Sequence, residues 1–145
     1  PYLILDNEMI QALTTAAQSG VDVRIYTPGI PDKKLVYLAT RSFYQQLSRS
    51  GVRIYEYTPG FLHAKMIVSD DDVGVVGTIN MDFRSFFMHF ECGTVLYGGQ
   101  IIHDIKNDML DIMAQSRSVD REWFRHVPWL SSILASIMRL FAPLL

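Results

Sequence analysis

The chain has 145 residues, enough for one domain with a sizeable core. Its formal charge of −2, from 13 basic and 15 acidic residues, leaves no broad basic field and argues against a nucleic-acid partner. A single cysteine, Cys92, excludes an intrachain disulfide and a cysteine-only metal centre; its apolar surroundings predict a small buried hydrophobe.

The chain opens at Pro1, with Tyr2 to Leu5 reading as a strand already under way. A fragment of a longer protein is therefore expected, and no signal peptide is apparent. Asp6 or Asn7 caps a helix running to Ser19, with Met9, Ile10, Leu13 and Ala17 on one face and Gly20 as its stop. Val21, Val23 and Ile25 alternate with Asp22 and Arg24, as in a strand with one buried face. A loop over 27–32 ends in Asp32, placed to cap a helix from Lys33 to Arg49, and Gly51 closes that helix. Val52, Ile54 and the tyrosines then begin another strand. Strand, helix, strand, helix, strand favours right-handed crossovers and parallel pairing.

From Leu62 onward short strands are joined by tight turns, so the sheet is expected to become mixed. His63 and Lys65 lie two apart, which in a strand puts imidazole and ammonium on one face. Met66 to Val68 is apolar, Ser69 to Asp72 is a polar turn, and Val73 to Val76 returns as a second strand. That return brings Thr78 and Asn80 back towards His63. Glu91 falls in a third apolar run, Phe90 to Tyr97. Ile101, Ile102, Ile105, Met109, Ile112 and Met113 form one stripe of a helix that packs on the sheet, opposed by His103, Asp104, Asn107 and Asp111. Residues 118–128 read as a polar connection with a short helical segment around Trp123. In the last helix Trp129, Leu130, Ile133, Leu134, Ile137, Met138, Leu140, Phe141, Leu144 and Leu145 share one broad face. Ser131, Ser132, Ala135, Ser136, Arg139 and Ala142 fill the other. It is too short and too amphipathic for a transmembrane span; two readings stand, a membrane-interface helix and a helix packed on its own domain or a partner.

His63, Lys65 and Asp70 fill an HxKxxxxD pattern, followed by Gly77, Thr78 and Asn80 and by the acid Glu91. The constellation resembles the signature of the phospholipase D superfamily. Within it the chain is most similar to the C-terminal half of bacterial cardiolipin synthases, over nearly its whole length, through Gly20–Ile25, Leu35–Ala39, Gly51–Tyr57, Gly60–Lys65 and Asn80–Phe86. The resemblance implies an α/β fold, a phospholipase D-like α/β/α sandwich with a mixed central sheet. Residues 1–117 form the catalytic half-domain, and residues 118–145 the connection and amphipathic helix.

The same resemblance implies the chemistry. A histidine attacks phosphorus to give a phosphohistidine, and the histidine of a second HxK motif protonates the leaving alkoxide and then activates the incoming alcohol. His63 takes one of these two roles. Lys65 and Asn80 clamp the phosphoryl oxygens, Thr78 adds a hydroxyl nearby, and Glu91 accepts a hydrogen bond from His63. Asp70 and Gly77 support the site, Asp70 by tying down loop backbone or a neighbouring cation; Asp82 and Arg84 pair locally. No metal or cofactor is expected. His89 lies near Glu91, Tyr55 and Tyr57 line either the rim or the core, and His103 and His126 are solvated.

Only one HxK is present, so the other comes from an N-terminal half or from a second copy of the chain. The isolated chain is then expected to have little or no activity. The implied function is phosphatidyl transfer, making cardiolipin from phosphatidylglycerol with release of glycerol. The implied place is the surface of the inner (cytoplasmic) membrane, held peripherally or by a missing N-terminal segment. The alternatives are a phospholipase D or other phosphodiesterase or nuclease using the same site, and a half-domain serving dimerisation or membrane docking.

Overall fold

The computed structural model describes residues 1–141, with Ser132 described by its backbone alone. Ala142, Leu144 and Leu145, expected on the last helix, lie outside the described residues.

β1 (Leu3–Ile4) leads into α1 (Asn7–Gln18), whose first turn is closed by Asp6, its Oδ1 accepting the Met9 amide at 2.8 Å. β2 (Arg24–Pro28) begins three residues later than the alternation from Val21 suggests. α2 (Lys34–Arg49) buries Val36, Ala39, Thr40, Phe43, Tyr44 and Leu47, the spacing of a helix with one face on a core. Asp32 does not cap it. No side chain bonds the first turn; Asp32 instead accepts its neighbour Lys33's amide at 2.7 Å and the Tyr2 hydroxyl. β3 (Arg53–Tyr57) runs parallel to β2 in the register Arg24↔Arg53 to Pro28↔Tyr57, as a strand–helix–strand crossover requires.

The second half is β4 (Met66–Ser69), β5 (Val73–Gly77), β6 (Met81–Asp82), α3 (Phe83–Phe87), β7 (Gly93–Tyr97), α4 (Gln100–Ala114), β8 (Ser116–Ser118), α5 (Arg121–His126) and α6 (Trp129–Leu140). β6, α3 and β8 were not apparent from periodicity; each is too short to display one. The β4–β5 turn places Asp70 and Asp71 at φ 52° and 60°, left-handed positions that aspartate tolerates.

Pairing is mixed, as expected, but the strands form three separate ladders: β1 with β6, β2-β3-β8, and β4-β5-β7. The face of β2 and β3 that carries Ile25, Thr27, Ile54 and Glu56 is buried and meets α2, where the Thr27 and Tyr44 hydroxyls are hydrogen-bonded at 2.7 Å. The opposite face, where Tyr26 stacks on Tyr55, turns towards α4, and Arg24 reaches Met113 at 3.6 Å. α4 also covers one side of the β4-β5-β7 ladder, through Ile102 and Ile105.

The core is continuous from β1 through α2 and β3 to Val119 and Trp123. Glu56 anchors this part. Fully buried, it accepts from Arg41 at 2.9 and 3.1 Å, from Arg117 at 2.6 Å and from the Trp123 indole at 3.1 Å. A buried carboxylate is tolerable only with partners of this kind. The stretch 118–128, expected as a polar connection, is therefore tied into the fold at its start by β8, paired antiparallel with β3, and by Val119 and Trp123 in the core.

α6 packs on α2 through its small and polar side. Ala135 is buried, while Arg139 donates to Gln46 at 2.6 Å and lies over the Phe43 ring. Its apolar face, Trp129, Leu130, Ile133, Leu134, Ile137 and Leu140, is exposed. Among the described residues no helix is long and apolar enough to cross a membrane.

Candidate active site

His63 and Lys65 lie in the extended approach to β4 and not within the strand itself. The ladder nevertheless reaches Lys65, whose carbonyl accepts the Gly77 amide at 3.2 Å. Alternation therefore still governs: the Lys65 ammonium stands 3.0 Å from Nε2 and 3.2 Å from Nδ1 of His63, and donates to the His63 carbonyl at 2.9 Å. The Phe61 ring flanks the imidazole, 5.5 Å between centroids. Burial holds the Lys65 ammonium below the usual lysine range, against the opposing pull of the Glu91 charge.

β5 ends at Gly77, where a β-carbon would collide with the Cys92 carbonyl and come within 2.7 Å of the Gly93 Cα, so only glycine allows this approach of β5 to the chain before β7. Thr78 then bonds across the gap: its amide donates to the Cys92 carbonyl at 2.9 Å, and its hydroxyl accepts the Cys92 amide at 3.0 Å. The same hydroxyl donates to Glu91. Asp82 caps α3 by accepting the Ser85 amide at 2.6 Å, which aims the Ser85 hydroxyl at Glu91, 2.8 Å away. Ser85 Oγ also accepts the Asn80 amide at 3.2 Å. Ser85 thus joins the two strand ends, a role the sequence reading missed. A serine three residues after a capping aspartate was the available signal.

Glu91 was expected to bond His63. Its hydrogen bonds are instead with Thr78 and Ser85, and His89 Nδ1 lies 4.0 Å from its carboxylate. These two hydroxyls, Thr78 first, hold the carboxyl below the usual range, with lesser help from His89 and Lys65. Glu91 is therefore a fixed negative charge close enough to Lys65 to be felt by it, and a brace for the Thr78–Asn80 turn. No hydrogen bond joins the carboxylate to the imidazole; Lys65, which contacts His63, also feels the Glu91 charge.

Asn80 presents the loose end. Its Oδ1 is buried with no hydrogen-bond partner, an expensive state for an amide oxygen. A half-turn of the amide puts the NH2 in the same place, so either end can meet a ligand. Lys65 and Asn80 line one cleft, and His63 stands exposed at the side of Lys65. Asp70 also lines that cleft, but at the other end of β4 from Lys65. Four strand residues lie between it and Lys65, five steps or about 16 Å of extended chain, and its own contact is with Ser69 at 3.2 Å. The cation in that turn is taken by its neighbour: Lys106 donates to Asp71 at 2.6 Å. Cys92 is exposed, against expectation; it lies just ahead of β7, a strand that is itself largely exposed.

A half-buried lysine, an imidazole against it, an amide with an unpartnered oxygen and a braced carboxylate are the kinds of group that bind and turn over a phosphoester. Comparison with known proteins identifies the family of the chain. A family model described as the cardiolipin synthase, PLD-like domain matches residues 1–113. The chain belongs to that family. Over all 145 residues it is 47% identical to an uncharacterized protein of Streptococcus mutans, 32% of whose length it covers. It is 43% identical to a cardiolipin synthase of Geobacillus kaustophilus and 41% identical to one of Halalkalibacterium halodurans, covering 29% of each. The chain thus spans about a third of the length of the curated relatives it matches. Two solved structures share the phospholipase D-like fold. One is Nuc, a phospholipase D family member from Salmonella typhimurium, with TM-score 0.68, 19% identity, and coverage of 81% of this chain and 76% of that one. The other is a phosphatidylserine synthase from Haemophilus influenzae, with TM-score 0.70, 16% identity, and coverage of 100% and 40%.

Proposed function

We propose that this chain is the C-terminal half of a two-motif phosphatidyl transferase that makes cardiolipin from two molecules of phosphatidylglycerol and releases glycerol. The observation that carries the reading is the Lys65 ammonium, 3.0 Å from the His63 ring and sharing a cleft with Asn80, whose side-chain Oδ1 has no hydrogen-bond partner. One histidine attacks phosphorus and the bond to the departing glycerol oxygen breaks, that oxygen taking a proton from the second histidine. The second histidine then removes a proton from the terminal hydroxyl of another phosphatidylglycerol. This oxygen attacks the phosphohistidine, the P–N bond breaks, and cardiolipin leaves with both histidines restored. His63 is one member of the pair; the other half of the longer protein supplies its counterpart. Lys65 and Asn80 neutralise and hold the phosphoryl oxygens as charge builds on them. Glu91, Thr78, Ser85 and Gly77 keep that clamp in place.

Two surfaces favour the assembly. The side of β4-β5-β7 that carries Lys65 also carries Ile67, Val95 and Tyr97, the last 78% exposed, an apolar field beside the site suited to a second half-domain. The apolar face of α6 suits the interface of a bilayer, which supports a site that works at the inner membrane surface. Incubating the full-length protein with labelled phosphatidylglycerol tests the reading. Cardiolipin and glycerol are expected, with little turnover by residues 1–145 alone. Phosphatidic acid as sole product makes the enzyme a hydrolase, and no product at all overturns the assignment.

A further inference from the structure

A cavity of about 440 Å3, lined by Arg41, Arg117, Ser118, Trp123 and His126 among others, shares no residue with the cleft of Lys65 and Asn80. The Glu56 cluster sets its chemistry. Arg41 meets the Glu56 carboxylate through Nε and Nη2, and Arg117 through Nη2 alone. Among the described residues no hydrogen-bond partner engages Nη1 of Arg41, nor Nε and Nη1 of Arg117. The rings of Tyr37 and Trp123, centred 4.3 and 5.0 Å from the Arg41 guanidinium, fix it further. Two guanidinium charges meet one carboxylate, so a positive charge is left over. Asp120 and Glu122 also line the cavity, but Asp120 spends Oδ1 on the amides of Glu122 and Trp123, and Glu122 is exposed. Arg121 and Arg125 of α5, both exposed, offset these two acids. Spare N–H groups on prepositioned guanidinium groups suit the paired oxygens of a phosphodiester.

Where the cavity ends is the second observation. Val127 and Pro128 line it, and the next residue, Trp129, begins α6. Trp129 and Leu130 open the exposed apolar face that continues through Ile133, Leu134, Ile137 and Leu140. A cationic cavity therefore adjoins the start of an uncovered apolar face, an arrangement matched to a molecule with an anionic head and a hydrocarbon body.

We propose that this cavity is a non-catalytic lipid site, in which Arg41 and Arg117 hold the headgroup phosphate of an anionic phospholipid while α6 lies in the bilayer interface beside it. Trp129, between the two, has the residue type favoured at the boundary of headgroups and acyl chains. Apolar burial of α6 supplies the strength of attachment, and the guanidinium pair supplies the choice of lipid. Free phosphate offers the same oxygens but makes no use of α6. The proposal rests on the membrane reading of α6 given above, and not on the enzyme assignment.

Vesicle flotation of the 145-residue chain, with no turnover involved, tests the site. Phosphatidylcholine vesicles report on α6 alone. Adding phosphatidylglycerol should tighten binding about tenfold, the worth of a charge-assisted hydrogen bond. Arg117→Gln should remove most of that gain and leave the phosphatidylcholine value unchanged. Arg125→Gln takes an equal charge from α5 outside the cavity and should keep the gain; equal loss in both variants means a general field and overturns the proposal. A readout without substitution covers the chance that Arg117→Gln disturbs Glu56. Glycerophosphoglycerol, the headgroup without acyl chains, should shift the NMR signal of the Trp123 indole N–H, which donates to Glu56 beside both arginines. No shift overturns the proposal, and inorganic phosphate saturating the shift at lower concentration assigns the cavity to the free ion. Equal binding to both kinds of vesicle sinks the lipid site alone, whereas binding to neither also removes the membrane reading of α6.

Discussion

The β2-β3-β8 ladder with α2 and α5 and the β4-β5-β7 ladder with α3 are built by opposite means. In the first, burial does the work: Phe43, Tyr44, Leu47 and Ile54 are sealed in, and even the charge of Glu56 is enclosed by two guanidinium groups and an indole. In the second, one face rests on α4 while the other, with Ile67, Val95 and Tyr97, faces solvent. Its polar groups are fixed by short-range hydrogen bonds: Thr78 to Cys92, Thr78 and Ser85 to Glu91, Asp82 to Ser85. Stability and the candidate site therefore occupy different parts of one small chain. The candidate site can keep its geometry without being covered, which leaves its surface available.

That separation can be broken by substitution. In the full-length protein His63→Ala should lower cardiolipin formation about 10⁴-fold, as loss of an acid–base or nucleophilic group does, while the melting temperature stays close to that of the parent. A drop below tenfold, or a collapse in melting temperature, would show that the two regions are not independent. Glu56→Ala is expected to do the reverse. Urea unfolding of the 145-residue chain should show a loss of about 3 kcal/mol, because the arginines and the Trp123 indole lose their common acceptor. A loss under 1 kcal/mol would mean that the enclosed charge contributes nothing net.

Ser85→Ala gives the smallest and most informative effect. Glu91 has its folded-state pKa depressed by Thr78 and then Ser85, so its contribution is present above the ordinary carboxylate value and vanishes as pH falls through the folded value. Removing Ser85 weakens that contribution. The stability gap between parent and variant should accordingly be wider at pH 7 than at pH 3, measured by urea unfolding at each. An equal gap at both would assign Ser85 to Asn80 and the α3 turn alone.

The sequence made the site's members legible but not their partners. His63, Lys65, Thr78 and Asn80 are brought together by strand alternation and one tight return, both local properties that spacing reveals. Which group Glu91 grips is decided by β6 and α3, of two and five residues, too short to leave a periodic trace. Glu56 was opaque for a different reason. Alternation puts it on the face of Val52 and Ile54, but only tertiary assembly brings Arg41, Arg117 and Trp123 to it. α6 was legible as an amphipathic helix, but the side packed on α2 is the one with Ala135 and Arg139. Close approach to another helix selects small residues there, a criterion that an apolar count does not register. β2 shows the limits of a boundary: its alternation is real from Val21, yet pairing with β3 starts only at Arg24.

The position of Cys92 has a practical corollary. As the sole thiol, solvent-accessible and adjacent in sequence to Glu91, it accepts one maleimide dye without engineering. A reporter there sits beside the bare apolar field, so its emission would register the arrival of a complementary half-domain or a vesicle before any product has formed.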